Sequence, residues 1–234
     1  MPRNHGPGAW VFLSSYGGGL VDGDRLCIRV DAAPGTMAFI GTQASTKVYR
    51  SRTGSSQTLE IRIAEGAALA LVPDPVVAFA GARYAQRIDV VMAPDASIAL
   101  FDAYTCGRSA RGERWQFARF ESKTTIARDG RVVLVDSTRL DPAHGSVSDR
   151  MAGFDVIGCV VAIGPRFAGM RSALREAVSS PPRARTLCSA SPLGNDGLVL
   201  RFAADHFENA SCALRPSFRA LARELGDDPF VRKW

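Results

Sequence analysis

Histidine and lysine are almost absent from this sequence. Its 234 residues hold only His5, His144 and His206, and of 29 basic residues only Lys47, Lys123 and Lys233 are lysines. Three scattered histidines cannot supply the local nitrogen and sulfur ligands of a stable zinc site. The five cysteines (Cys27, Cys106, Cys159, Cys188, Cys212) form no CxxC pair, and an odd, widely spaced set fits a reducing compartment. Cys27 and Cys159 lie in apolar runs and are expected to be core thiols. No apolar run approaches the roughly 18 residues needed to span a bilayer. The leading MPRNHGPGAWVFLSS has no signal-peptide core. A soluble, cytoplasmic chain is the expectation. Also missing are the GK[ST] ending of a phosphate loop, a GxGxxG turn opening a helix, a GxSxG elbow and an SxxK pair.

Arginine is what the chain has instead. It carries a net charge of +6, with arginines spread along its length rather than gathered in a basic run. That distribution argues against nucleic acid as the partner. It suits acidic protein partners, because the guanidinium fork pairs bidentately with carboxylates. Apolar residues make up 46% of the chain, enough for one domain to build a core without staples.

The first two-thirds reads as strands. Runs rich in β-branched and aromatic residues appear at 26–30, 37–40, 59–63, 69–72, 88–92, 98–101, 115–126 and 132–135. Four turns punctuate them: Pro34-Gly35, Glu65-Gly66, Pro94-Asp95 and Asp129-Gly130. Aligned on Gly35, Gly66, Ala96 and Gly130, the segments repeat at spacings of 31, 30 and 34 residues. Each unit reads as a strand, a tight turn and a second strand. The expected fold is mainly β: stacked or helically wound layers built from repeated hairpins, with two helices in the C-terminal region. A plain all-β protein with hairpins of similar size is the alternative. After the second strand of each unit the chain turns polar, at Thr42-Gln43, Asp74, Asp102 and Asp136. Stacked in register, these positions form either solvated strand ends or a polar row facing a cation or a partner.

Beyond residue 140 the texture changes. Phe154–Gly164 is a continuous apolar strand suited to burial on both faces. Phe167, Met170, Leu174 and Val178 recur at helical spacing, 198–202 is a further strand, and a last helix is expected over 217–226, with Gly226 as its stop. Residues 1–15 read as a short N-terminal extension and 226–234 as a mobile tail, within one domain spanning 1–234.

Four segments carry unusual chemistry. In GGGLVDGD (Gly17–Asp24) the glycines lead into a strand, so close approach of another backbone explains them better than phosphate binding. Asp22 and Asp24 either cap that loop or meet a cation. TQASTKVYRS (Thr42–Ser51) is dense in hydrogen-bonding side chains. VPDPVVAF (Val72–Phe79), followed by ARYAQ (Ala82–Gln86), is the third, and GRSARGERW (Gly107–Trp115) the fourth. None forms a catalytic constellation. A hydrolase or transferase site would have to be assembled from Ser45, Lys47 and Glu113, and a free-standing binding domain is the other alternative.

In their order, these four segments resemble the urease accessory family UreD, called UreH in some organisms. The wording of TQASTKVYRS and VPDPVVAFAGARYAQ is similar to the plant and fungal branch. The resemblance runs from about residue 16 to 164 and more weakly beyond. It implies a non-enzymatic β-rich protein that binds urease apoprotein on one side and UreF, which carries the GTPase UreG, on the other. It implies delivery of nickel to urease, with a polar tunnel as the suggested route, and no tightly bound cofactor beyond transient nickel. Members of this family usually have at least one more strand before the GG motif than the fifteen or so residues here provide. The candidate cation path is Asp22, Asp24, Asp74, Asp102 and Glu113, since scattered carboxylates hold a metal weakly enough to release it. The candidates for structural or partner-binding contact are Lys47, Tyr49, Arg108, Arg111 and Trp115.

Overall fold

The computed structural model describes residues 3–15, 17–179 and 185–230. The chain opens with β1 (Arg3–His5) and β2 (Gly8–Leu13), then β3 (Arg25–Ala32), β4 (Met37–Thr42) and β5 (Thr46–Val48). Next come β6 (Ser55–Ile63), β7 (Ala68–Val72), β8 (Val76–Ala78), β9 (Arg83–Met92) and β10 (Ser97–Thr105). They are followed by β11 (Arg119–Arg128), β12 (Arg131–Leu140), the one-turn α1 (Val147–Arg150) and β13 (Val156–Ile163). The chain then forms α2 (Ala168–Ser179), β14 (Thr186–Leu193), β15 (Gly197–Ala204) and α3 (Phe207–Leu225).

The repeat units are wound rather than folded back. β3, β6, β9 and β11 run parallel as neighbours in a five-stranded sheet, with β12 at its far edge. β4, β7 and β10 run parallel in the facing ten-stranded sheet. Each of the first three turns therefore carries the chain from one sheet to the other. These units are arches, not the hairpins expected from the sequence, because each strand hydrogen-bonds to the next coil and not to its own turn partner. The ladder continues around the corner: the Gly35 amide donates to the Glu65 carbonyl and the Ala68 amide to the Thr36 carbonyl. Only the fourth unit, β11–β12, is an antiparallel hairpin. Its Asp129 and Gly130 both have positive φ, at 51° and 70°, the conformation a tight two-residue hairpin requires.

Side-chain alternation then sorts the layers. In the five-stranded sheet Leu59, Ile61, Ile63, Ile88, Val90, Met92 and Ile126 point inward, meeting Leu69, Leu71, Ile98, Leu100 and Val161 of the ten-stranded sheet. The opposite face of the ten-stranded sheet offers Phe39, Ala70, Ala99, Phe101, Val160 and Phe202 to Met170 and Leu174 of α2 and to Leu214, Phe218 and Leu221 of α3. A third apolar cluster, around Val48, Tyr84, Tyr104, Trp115, Phe117 and Phe120, fills the end where the arches' strands begin in the five-stranded sheet.

Other expectations shift in detail. α3 begins ten residues before the expected start and contains Pro216. Pro216 lies on the exposed face, so the Cys212 carbonyl it deprives of a partner stands on the water side of the helix. β14 was not legible as a strand. Cys159 is buried, but Cys27 is exposed, because β3 is an edge strand and Cys27 falls on its outward phase. The start of the expected tail is packed: Phe230 is buried edge-on against Phe39 and beside Phe218, at centroid distances of 5.6 and 5.1 Å. Residues 231–234 lie outside the described residues. At the other end of the chain, β2 pairs in parallel with β4 and so belongs to the ten-stranded sheet.

Candidate functional site

A polar belt crosses the otherwise apolar interior. Along the five-stranded sheet one inward-facing register row reads Gln57, Gln86, Ser122, Thr138 on β6, β9, β11 and β12. The row on one side of it is Leu59 and Ile88; on the other lie Tyr84 and Phe120. Directly across, β10 presents Asp102, only 6% exposed. Its two carboxylate oxygens accept from Gln86 Nε2 and from Ser122 Oγ, both at 2.9 Å. Gln86 Nε2 also donates to Ser122 Oγ at 3.2 Å, and the Tyr84 hydroxyl donates to Gln86 Oε1 at 3.2 Å. Among the described residues the hydrogen-bond partners of Asp102 are neutral. Burial pushes its carboxyl above the ordinary range, only partly offset by the Gln86 and Ser122 bonds. Burial likewise raises the phenols of Tyr84 and Tyr104, so both are neutral hydrogen-bonding groups.

The belt has two ends. Beside Asp102 lies a cavity of about 20 Å³ lined by Thr42, Thr46, Gln57, Asp74 and Gln86, room for about one water-sized occupant. Thr42 Oγ1 donates to Asp74 Oδ2 at 2.8 Å and accepts from the Asp74 amide at 2.7 Å. Thr42, Thr46 and Gln57 also line an open vestibule of about 630 Å³, walled by Leu13, Leu20, Leu26, Ile28 and Lys47. At the other end Tyr104 donates to Thr138 Oγ1 at 2.9 Å, and Asp136 is held by Arg201.

The structure thus brings together two of the five expected cation ligands, Asp74 and Asp102, and separates the rest. Asp22 is a cap: one oxygen accepts from the Thr53 amide (2.8 Å), the Thr53 hydroxyl (2.7 Å) and the Gly54 amide (2.9 Å). Those bonds, the Thr53 hydroxyl first, hold its pKa down at about 2. Asp24 caps the same loop, accepting from the Val21 amide at 2.8 Å. Glu113 is gripped by Arg108 and accepts from the Ala80 amide, so its pKa is lowered. These three carboxylates are committed to loop closure and ion pairing outside the belt. Among the described residues no group of three or more His, Cys, Asp or Glu side chains is placed to hold a metal ion.

Of the expected partner contacts, Lys47 and Tyr49 are exposed beside the vestibule and Arg111 is exposed on a 3-10 turn. Tyr49 packs edge-on against Phe79 at 5.1 Å, and Arg108 lies 4.2 Å over the same ring. Trp115 is not available to a partner: it is buried, and its Nε1 donates to the Phe154 carbonyl at 2.9 Å. Ser45 and Lys47 line the vestibule whereas Glu113 is bound elsewhere, so no hydrolase constellation forms. The GGG segment brings its backbone against β5. A Cβ on Gly19 would stand 2.4 Å from the Lys47 carbonyl oxygen, and the Leu20 amide donates to that oxygen at 2.8 Å.

The four motif segments wall the vestibule, the belt and the loops beside them, and the whole sequence, residues 1–234, matches the family model described as UreD urease accessory protein. The chain belongs to the UreD urease accessory family. This is an accessory rather than a catalytic family. Urease accessory protein UreD of Sorangium cellulosum is 52% identical over 235 residues, covering 100% of this chain and 75% of that protein. The protein of the same name from Anaeromyxobacter sp. is 42% identical over 236 residues, covering 99% and 79%. Urease accessory protein D of Oryza sativa subsp. indica is 33% identical over 251 residues, covering 95% and 82%. The plant-like wording of two motifs therefore does not extend to the whole chain, which is more similar to these two bacterial proteins. No described helix is long and apolar enough to cross a membrane.

Gln86 and Ser122 complete the belt, and neither was singled out from sequence. The signal was present for Gln86: in RYAQRIDVVM every second residue is buried, and Gln86 is the polar member of an inward series otherwise made of Tyr84, Ile88, Val90 and Met92.

Proposed function

We propose that this protein acts in urease maturation as a non-catalytic scaffold that passes nickel through its polar belt. The observation that carries this reading is a buried carboxylate, Asp102, whose hydrogen-bond partners are neutral, beside a one-water cavity that shares its walls with an open vestibule. A carboxylate removed from water without a cation beside it is unfavourable, and the raised pKa expresses that penalty. A divalent cation arriving from the vestibule would relieve it. Oxygen-only ligands in the cavity suit brief residence rather than storage. A proton competes with the cation for the Asp102 carboxylate, so passage weakens as pH falls.

In this reading the protein binds urease apoprotein and UreF, with UreG held through UreF, in the cytoplasm. The exposed Lys47 and Tyr49 beside the vestibule mark the mouth at which one of these partners docks. The test is co-purification from cells expressing the urease operon, with nickel content of the urease measured. Recovery of urease apoprotein or UreF with this chain is expected, and Asp102→Asn should leave recovery intact while lowering nickel content. No association with either partner, together with normal urease activation when the gene is deleted, sinks the reading.

A further inference from the structure

The outer face of the five-stranded sheet is a ladder of charges that cancel over most of its length. Arg29 grips Glu60 at 2.9 Å, Arg62 reaches Asp31 at 3.7 Å and Arg87 reaches Asp89 at 2.5 Å. At the N-terminal ends of the strands they do not cancel. There Arg25, Arg83 and Arg119 wall a cavity of about 310 Å³ floored by Gly54, Ser56 and Ala85. Arg25 stands opposite Ser56, Ser56 opposite Ala85 and Ala85 opposite Glu121, while Arg83 stands opposite Arg119. At roughly 4.8 Å per strand the row from Arg25 to Glu121 spans about 14 Å, wide enough for more than one small anionic group.

Like charges directly opposite one another on neighbouring strands are unfavourable unless an anion lies between them. Among the described residues the cup's one acidic lining residue, Glu121, is already held by Arg119 at 2.7 Å and by Arg139 at 3.3 Å. It shows what these guanidinium groups take: a carboxylate. Arg25 and Arg83 have no acidic partner among the described residues. A phosphate fits less well. The loop amides that would cradle one, those of Thr53 and Gly54, are spent on Asp22, whose negative charge stands beside the cup.

We propose that this cup docks a carboxylate-rich segment of a partner protein. Two guanidinium forks free of partners, a floor of small residues and a charged rim match the side chains of an acidic loop or tail. Among the described residues the cup shares no lining residue with the belt's cavity or its vestibule.

Binding of a fluorescent Glu-rich peptide to the full chain, followed by anisotropy at low salt, is the test. The double variant R25E/R83E should bind about tenfold more weakly. R166E/R219E, with the same change in net charge on the helical side of the molecule, should bind as the parent does. Equal losses in both variants, or none in R25E/R83E, overturn the proposal. So does displacement of the peptide by inorganic phosphate at lower concentration than by free glutamate. Thermal melts establish that each variant folds, and R25Q/R83Q carries the test if the reversal does not. Neither nickel nor urease enters this measurement, so its failure leaves the maturation reading standing.

Discussion

Replacing Asp102 by Ala removes the acceptor from two buried donors at once. Among the described residues Ser122 Oγ loses its acceptor, and Gln86 Nε2 keeps its bond to Ser122 alone. Each unpaired buried donor costs about 1–3 kcal/mol. Part of that is offset, because an unfavourably buried carboxyl disappears as well. A net loss of about 2–3 kcal/mol follows, or a fall in melting temperature of roughly 4–12 °C at about 2–4 °C per kcal/mol for a domain of this size. Asp102→Asn keeps one acceptor oxygen and the volume, so it loses only about 1 kcal/mol. The two variants therefore differ in stability but share the loss of charge. Both should deliver less nickel to urease, measured as metal content of the purified enzyme. The pH dependence has a definite sign. The ordinary value is 3.8 and burial raises it in the folded state, so the native protein holds this proton to higher pH than the unfolded chain. The Asp102 contribution to stability is most favourable at acid pH and falls as pH rises from about 4 through the folded pKa, then stays level. Asp102→Asn should erase that segment of the curve. An Asp102→Ala protein melting within a degree of the parent, or an Asp102→Asn protein that loads urease at the parental rate, refutes the reasoning.

Gly158 on β13 has no room for a side chain: a Cβ there would stand 2.5 Å from Phe202 Cζ and 2.7 Å from the Asp102 carbonyl oxygen. Since the second contact is backbone, Gly158→Ala should cost about 2 kcal/mol in chemical denaturation, within the usual range for overpacking. Asp22→Ala should speed amide exchange at Thr53 and Gly54, whose N–H groups it frees, without changing nickel content of urease. Because its pKa is depressed to about 2, the Asp22 cap is intact above pH 4 and is lost as pH falls through about 2, which a carboxyl NMR titration reads directly. Phe230→Ala empties a site between Phe39 and Phe218 and should destabilise by about 3 kcal/mol in an equilibrium unfolding curve. A loss below 1 kcal/mol would mean that the segment after α3 contributes little to the core.

The stacked fold was legible because the turns recur on a period, and a period of some thirty residues needs a structural unit of that length. The difference between an arch and a hairpin was not read, since both are strand, turn, strand, and which chain a strand bonds to is decided far away in sequence. One local trace of it existed. Asp129-Gly130 is the dipeptide that favours a true hairpin, and there alone among the four repeat units the chain folds back. The candidate site was half legible. Asp74 and Asp102 share the phase of the repeat and meet at one cavity, whereas Asp22, Asp24 and Glu113 were chosen as carboxylates in polar segments and proved to be caps and an ion pair. Of the two roles open to Trp115, structural or partner contact, its burial favours the structural one. It is buried at a positive φ of 55°, a backbone state that segment composition does not reveal.

The polar belt has a mechanical consequence as well. It lies between two apolar clusters, one around Leu59, Ile88 and Leu100 and the other around Tyr84, Tyr104 and Phe120, with hydrogen-bonded groups between them. Dispersion contacts hold each cluster tightly, but the seam between them rests on directional bonds that water can replace. Strands β9, β10 and β11 run unbroken from one cluster through the belt into the other, so the backbone keeps the two in register. The belt is therefore the layer of the interior where water can exchange for side-chain bonds at least cost to packing, without parting the strands that cross it.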